Sequence, residues 1–146
     1  SLNGKLDLSD QLQGKGKLLE IVLELSLAED TKPLLNISRT NTVGEKYVMG
    51  FDANTNNFFS DRNFAGKKDF SPDFADKFSL APRKTSGRQL SLHLFFDVAS
   101  AELFADGGLT NITEIFFPNE DFNGLIIEAL NGSAELNKGT IYILEE

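Results

Sequence analysis

The 146-residue chain is 40% hydrophobic and contains no cysteine, so its core must form without disulfides or thiolate metal sites. With 22 acidic against 14 basic residues it carries a net charge of −8 and has no basic cluster, which argues against nucleic acid and anionic membranes as partners. No apolar run approaches the roughly 20 residues that cross a bilayer, and no segment has the pattern of a signal peptide.

Alternation of apolar and polar residues predicts a series of short β-strands. The clearest covers residues 17–27, where Leu or Ile occupies every second position from Leu19 to Leu27 and mostly polar residues fill the others. A helix competes for so Leu-rich a run, but the unbroken period of two favours a half-buried strand. Further strands are predicted at residues 5–8, 34–39, 45–52, 58–62 and 78–81, with a long polar and aromatic loop at 63–76.

The most strongly patterned region covers residues 90–117, where three strands are predicted. The chain breaks at Ala99 and Ser100 after the first strand, and residues 101–105 and 111–117 supply the second and third. In the first strand the buried face is expected to carry Leu90, Leu92, Leu94, Phe96 and Val98, and the other face Ser91, His93, Phe95 and Asp97.

Two Asn-containing turns predict hairpins. After Asp52 the chain runs Ala-Asn-Thr-Asn-Asn, and Asn side chains bond the nearby backbone and tolerate the left-handed dihedral angles of tight turns. Asn131-Gly132 is the stronger signal, and it predicts that residues 124–130 and 134–144 close the chain as a last hairpin. Strands this numerous, without a convincing helix, predict an all-β fold. We expect an antiparallel β-sandwich of the jelly-roll, concanavalin A-like kind, forming one domain over residues 1–146.

His93 is the only histidine, and it is expected on the strand face opposite the leucines. A Ser-His-Asp hydrolase needs its nucleophile on a sharp turn, but no G-x-S-x-G sequence is present, and one histidine without cysteine does not suit zinc. Residues 52–56 begin like an EF-hand calcium loop, yet Asn57 and Asn63 stand where that loop needs Gly and Glu. No metal or cofactor is therefore predicted, although a calcium site built from scattered Asp and carbonyl oxygens stays open.

Carboxylates offer another kind of site, and four are expected at strand ends or on the non-core face: Asp61, Asp97, Glu102 and Asp106. A carboxylate pair for glycoside hydrolysis stays open. The simpler interpretation is that each carboxylate solvates a sheet edge or pairs with Arg62 or a lysine. Thirteen Phe, two Tyr and no Trp suit core filling better than a flat polysaccharide platform. A small pocket that binds one sugar through Arg, Asp and Glu is compatible with this composition.

Three runs occur in a recognisable order: VMGFDANTNNFFSDRNFAG (48–66), DFSPDFADKFSLAP (69–82) and QLSLHLFFDVASAELFADGGLTNITEIFFP (89–118). In this order they resemble the C-terminal β-sandwich of glycoside hydrolase family 32, the invertases, inulinases and levanases that hydrolyse fructosyl bonds. The resemblance extends from about residue 17 to the end of the chain. It depends on the order and spacing of the motifs together, because no single motif is decisive.

Two motifs of the family are matched in detail. Asp61-Arg62 matches an Asp-Arg pair that ends one strand. A later family stretch of the form D-R-S-S-x-E-V-F-x-N-D-G, followed by Phe-Pro, is matched through Asp97, Ser100, Glu102, Phe104, Gly108 and Phe117-Pro118, with Asp106 where the family has Asn. The chain departs from that stretch at Val98 and Ala99, where the family has Arg and Ser, so an arginine is missing beside the turn.

The resemblance implies a module without the enzyme. The family's catalytic residues lie in an N-terminal five-bladed propeller, whose signatures W-x-N-D-P-N, R-D-P and E-C are absent from this sequence. The chain is therefore expected not to be an enzyme by itself. We expect it to pack against the N-terminal catalytic propeller of its parent chain and to stabilise it, with Phe95 and Phe104 as candidate docking residues.

The resemblance also implies an alternative function, a carbohydrate-binding module that recognises the terminal fructose of levan or inulin. Its candidate polar contacts are Asp61, Arg62, Asp97 and Glu102. A secreted or periplasmic parent enzyme is favoured by the same resemblance.

Overall fold

The computed structural model describes residues 4–66 and 78–144, and regular structure within them is almost entirely β-strand. Two antiparallel sheets pack face to face, which confirms the predicted all-β sandwich. Among these residues, no helix has the length and apolar character that spanning a bilayer requires. The strands are β1 (Lys5–Asp7), β2 (Leu19–Leu27), β3 (Leu34–Thr40), β4 (Lys46–Asp52), β5 (Asn57–Phe64), β6 (Phe78–Pro82), β7 (Gln89–Phe96), β8 (Ser100–Ala105), β9 (Thr110–Ile115), β10 (Gly124–Leu130) and β11 (Ala134–Ile143), with short 3-10 turns at Ser9–Leu12 and Asp106–Gly108.

The strand order shows how the two sheets are built. Sheet I has the order β1-β10-β3-β4-β5-β6, and sheet II has the order β11-β2-β7-β8-β9. In sheet II, β2 pairs with β7 without a register shift, from Leu19 opposite Phe96 to Ser26 opposite Gln89. The leucines of both strands therefore lie on the same inner face.

The core between the sheets follows from the period of two along each strand. Every second side chain of β2, from Leu19 to Leu27, is buried. Aromatic rings from sheet I fill the space opposite, with the Phe51 and Phe58 ring centroids 4.8 Å apart. Burial of each such side chain contributes roughly 1.5–3 kcal/mol, so the alternating strands account for most of the driving force for folding.

The predicted loop at residues 63–76 is corrected at its start. β5 continues to Phe64 and keeps pairing with β4, where Lys46 lies opposite Phe64 after a register shift. Residues 67–76 of that loop, and most of the run at 69–82, lie outside the described residues.

The prediction that Asn131-Gly132 joins a hairpin is wrong. β10 lies between β1 and β3 in sheet I, whereas β11 pairs with β2 in sheet II. The turn itself forms, with φ of 60° at Asn131 and 157° at Gly132, but it carries the chain from one sheet to the other. An Asn-Gly signal reports a tight reversal of the backbone, and it does not determine which strands pair on either side.

The predicted burial of Val98 is also wrong, because 42% of its surface is exposed. β7 ends at Phe96, and the Asp97 amide donates a hydrogen bond to the Ser100 carbonyl oxygen at 2.9 Å. The chain reverses there, so the alternation of the strand no longer determines where the Val98 side chain points.

Candidate functional site

The outer face of sheet II carries a cluster of half-buried aromatic rings with two carboxylates beside them, and we name these residues together the aromatic face. It consists of Glu20, His93, Phe95, Glu102 and Phe104, which the strand register places side by side on β2, β7 and β8. The His93 and Phe95 ring centroids are 4.7 Å apart, and Phe95 meets Phe104 edge to face at 6.0 Å. The His93 Nε2 lies 2.7 Å from a carboxylate oxygen of Glu20. The predicted docking residues Phe95 and Phe104 therefore form one surface.

At one end of the aromatic face lies a depression of about 220 Å³, which we name the Asp97 pocket. Asp97, Ser100 and Glu102 supply its polar groups, and Phe95 is among its apolar lining residues. One Asp97 carboxylate oxygen accepts a hydrogen bond from the Val98 amide at 2.7 Å. Two of the four predicted sugar contacts, Asp97 and Glu102, are thus brought together.

The other two predicted contacts, Asp61 and Arg62, lie on β5 of sheet I and point in opposite directions. Asp61 lines a groove on the outer face of that sheet. Arg62 points inward, where its Nη1 lies 3.1 Å from a carboxylate oxygen of Glu114 on β9. The four residues therefore do not share one pocket, and sugar binding by them stays a prediction.

Glu114 is the centre of a buried polar group that joins the two sheets, which we name the Glu114 network. Its Oε1 accepts hydrogen bonds from the Ser60 and Ser79 hydroxyls, each at 3.0 Å. The Tyr47 hydroxyl lies 2.7 Å from the Ser60 hydroxyl and extends the network into the core. Arg62 and the two serine hydroxyls together provide the partners that the buried Glu114 carboxylate requires.

Sequence reasoning missed Glu114, although the sequence contained a signal for it. The burial of β9 alternates strictly, with Thr110, Ile112 and Glu114 inward. A carboxylate at a position that this alternation assigns to the buried face must find a buried partner. An arginine on a facing strand is the residue best suited to pair with it.

Burial raises the pKa of the Tyr47 hydroxyl far above its ordinary value, and the hydrogen bond with Ser60 offsets only part of that rise. In the unfolded chain this hydroxyl ionises near pH 10. Above about pH 10 the unfolded state therefore releases a proton that the folded state keeps, and stability falls as pH rises.

We accordingly expect Tyr47→Phe to lower the free energy of unfolding at neutral pH by about 1 kcal/mol, the contribution of the hydrogen bond with Ser60. Between about pH 10 and 11 the difference from the unmodified chain should shrink, because the variant has no Tyr47 hydroxyl to ionise in its unfolded state. Urea unfolding at several pH values measures this. Tyr142→Phe, at a half-exposed position, is the control, and an unchanged difference across that range for Tyr47→Phe contradicts the prediction.

Two further buried arginines hold opposite ends of the sandwich. Arg83 forms an ion pair with Asp106 at 3.0 Å and donates to the Gly87 and Gln89 carbonyl oxygens, each at 2.7 Å. At the other end, Arg39 donates hydrogen bonds to three backbone carbonyl oxygens, those of Gly16, Phe122 and Gly124. Both arginines fix loops to the sheets.

The turn that begins like a calcium loop is a hairpin turn, as predicted. β4 and β5 pair on either side of it, the Asn54 amide donates to an Asp52 carboxylate oxygen at 2.9 Å, and Asn56 takes a left-handed φ of 58°. In the part of the chain that the structure describes, no three His, Asp or Glu side chains are grouped so that they could hold a metal ion.

Comparison with known proteins gives a consistent result. A family model described as "Glycosyl hydrolases family 32 C terminal" matches residues 1–143. The levanase of Bacillus subtilis (strain 168) is 32% identical over 98 residues, which are 67% of this chain and 14% of the levanase. The extracellular exo-inulinase of Aspergillus awamori is 27% identical over 140 residues, which are 94% of this chain and 23% of that protein.

A solved structure shows the same fold. The crystal structure of exo-inulinase from Aspergillus awamori matches 99% of this chain and 28% of its own, with a TM-score of 0.82 at 22% identity. The chain spans well under a third of each of these relatives.

Proposed function

Because the chain belongs to the family of C-terminal domains of family 32 glycosyl hydrolases, we propose that it is a noncatalytic accessory module that stabilises the catalytic portion of a fructan-hydrolysing enzyme. The observation that supports this most strongly is the extent of the match. Residues 1–143 correspond to the C-terminal family, whereas proteins named levanase and exo-inulinase devote only 14% and 23% of their length to the matching region.

The aromatic face is the surface best suited to pack against the catalytic portion. Aromatic side chains are enriched at protein interfaces, and a polar rim around them is usual. Phe95 and Phe104 provide the aromatic part, and Glu20 and Glu102 flank them. The rings are supported from below by a sheet whose inner side is core, so little side-chain freedom is lost on docking.

We expect Phe104→Asp to weaken association between this chain and the separately expressed catalytic portion of its parent enzyme. The dissociation constant should rise roughly 30-fold, the effect of losing an interface hot spot worth about 2 kcal/mol. Calorimetry of the mixed chains measures it, together with the half-life of the catalytic portion at elevated temperature.

The matched control is Leu80→Asp, which changes a side chain that is 59% exposed on the outer face of the opposite sheet. It should leave both measurements unchanged. Equal affinities for Phe104→Asp and the unmodified chain would exclude the aromatic face as the docking surface. A catalytic portion equally stable with and without the module would overturn the accessory role itself.

A second candidate function, carbohydrate recognition, is supported by the Asp97 pocket. Carboxylates accept hydrogen bonds from sugar hydroxyls, and an aromatic wall stacks on the apolar face of a sugar ring. Asp97, Glu102 and Phe95 combine these groups in one depression. A titration with fructose, read at the Ser100 and Glu102 backbone amide signals, tests this candidate.

A further inference from the structure

The outer face of sheet I contains a groove that neither proposal above uses. It has a volume of about 270 Å³ and lies across β3, β4, β5 and the edge strand β6. We name it the Phe78 groove. The residues that matter for its chemistry are Asn36, Lys46, Phe59, Asp61, Phe64 and Phe78.

The aromatic part of the groove is fixed in place. Phe59 lies opposite Gly50 in the β4–β5 register, and a Cβ at Gly50 would come within 3.1 Å of the Phe59 ring and 1.8 Å of the Leu35 carbonyl oxygen. Glycine therefore lets the Phe59 ring lie against the sheet, where only 4% of the residue is exposed. Phe78 stacks on this ring with centroids 5.3 Å apart and planes 11° from parallel, and it stays 49% exposed. An exposed ring is thus held by a buried one.

Three polar side chains with unused hydrogen-bonding capacity surround these rings. Asp61 accepts a hydrogen bond from the Asn63 amide at 3.0 Å through Oδ1, which leaves Oδ2 able to accept another. The Asn36 side-chain amide and the Lys46 ammonium make no hydrogen bond or ion pair within residues 4–66 and 78–144. At the edge of the aromatic surface, the Asp61 carboxylate can therefore accept a hydrogen bond, the Lys46 ammonium can donate one, and the Asn36 amide can do both.

The combination of groups restricts what can occupy the groove. A purely apolar occupant would remove Asp61 and Asn36 from water without giving them partners. Asp61 and Lys46 carry opposite charges, so the groove has no net charge that would select an anion or a cation. A neutral ring with one apolar face and hydroxyl groups around its edge satisfies both the Phe78 ring and the polar side chains.

We infer that the Phe78 groove binds one sugar residue of a carbohydrate, stacked on Phe78 and hydrogen-bonded to Asp61 and Asn36. Its volume of about 270 Å³ is just below the roughly 300–1,000 Å³ of pockets for drug-sized ligands, and it suits a single sugar ring. The groove and the aromatic face lie on opposite outer faces of the sandwich, so docking to a catalytic portion would leave the groove open. The inference does not depend on the accessory role.

The test is a titration of the chain with fructose, glucose and galactose in separate experiments, followed by ¹H–¹⁵N correlation spectra. At least one sugar should shift the Asn36 side-chain amide and the Asp61 and Phe78 backbone amides, with saturation at millimolar concentration. Phe78→Ala should then raise the dissociation constant about tenfold, because the stacking surface is lost. Asp61→Asn should raise it less, since the amide oxygen still accepts a hydrogen bond.

Leu80→Ala is the matched control, because Leu80 is an exposed apolar residue of the same strand and face but does not line the groove. It should bind as the unmodified chain does. If no sugar shifts the groove signals, the inference is overturned. If shifts occur only at Ser100 and Glu102, the groove is excluded and the Asp97 pocket is the sugar site, while the association measurement for the accessory role is unaffected.

Discussion

Replacing Arg39 by methionine is expected to lower the free energy of unfolding by about 3–5 kcal/mol, one of the two largest effects of a single substitution that we predict for this chain. The Arg39 guanidinium group donates hydrogen bonds to the carbonyl oxygens of Gly16, Phe122 and Gly124. The central carbon of that group, Cζ, lies 5.4 Å from the centre of the Phe96 ring. Urea unfolding at neutral pH measures the loss.

The size of the effect follows from what methionine leaves behind. A buried ion pair can often be replaced by apolar side chains of similar volume at little cost, because both charges disappear together. Arg39 differs, since three of its acceptors are backbone carbonyls of buried residues that no substitution at position 39 removes. Each unsatisfied buried carbonyl costs about 1–3 kcal/mol.

Two variants make this prediction specific. Arg88→Met applies the same chemical change to an exposed arginine and should alter stability by no more than about 0.5 kcal/mol. Arg39→Lys keeps the charge but not the planar fork that reaches several acceptors at once, so it should fall between the unmodified chain and Arg39→Met. A loss below about 1 kcal/mol for Arg39→Met would contradict the prediction, because the three carbonyls would then have found other donors.

The sandwich could be predicted because each strand has its own alternating pattern of apolar and polar residues in the sequence. The leucines of β2 and β7 alternate without interruption, and each alternation by itself marks a buried and an outward face. Phe95 and Phe104 could be assigned to one outward surface for the same reason. These predictions needed only the period of the strand and the position of the turn at residues 97–100.

Pairing between distant strands could not be predicted in this way. Asn131-Gly132 specifies a reversal, but whether β10 and β11 pair depends on partners about 100 residues earlier in the chain, namely β3 and β2. Hydrogen-bonding registers between such distant strands are set by the packing of the whole sandwich. No local signal at the turn carries that information.

Of the four candidate sugar contacts, one pair could have been separated from the sequence alone, and the proximity of the other pair could be seen only in the structure. Asp61 and Arg62 are neighbours on one strand, and the period of two already places neighbours on opposite faces. The sequence therefore contained the reason why they cannot both contact one ligand on the outer face. The convergence of Asp97 and Glu102 depended instead on the register of β7 with β8, which places Phe95 opposite Glu102 and required the structure.

Replacing Glu114 by leucine is expected to lower the free energy of unfolding by about 3 kcal/mol, and Arg62→Leu by a similar amount. The Glu114 and Arg62 side chains are 9% and 12% exposed, so each single substitution removes this ion pair from a largely buried charge. Glu114→Leu also removes the acceptor of the Ser60 and Ser79 hydroxyls. The double variant should be more stable than the sum of the two losses predicts, by at least about 1.5 kcal/mol, because both charges are then gone.

This double-mutant cycle also decides what Arg62 does. Asp121→Leu, which breaks the exposed pair of Lys17 and Asp121 at 3.6 Å, is the control and should cost no more than about 1 kcal/mol. If Arg62 joins the sheets, Arg62→Leu lowers stability, couples to Glu114→Leu and leaves any sugar affinity of the chain unchanged. The opposite outcome is that Arg62→Leu weakens sugar binding while stability changes by less than about 0.5 kcal/mol. The Glu114 network would then not be what holds the sheets together. The prediction from the Asp-Arg motif, that Arg62 contacts a sugar, would be the better account.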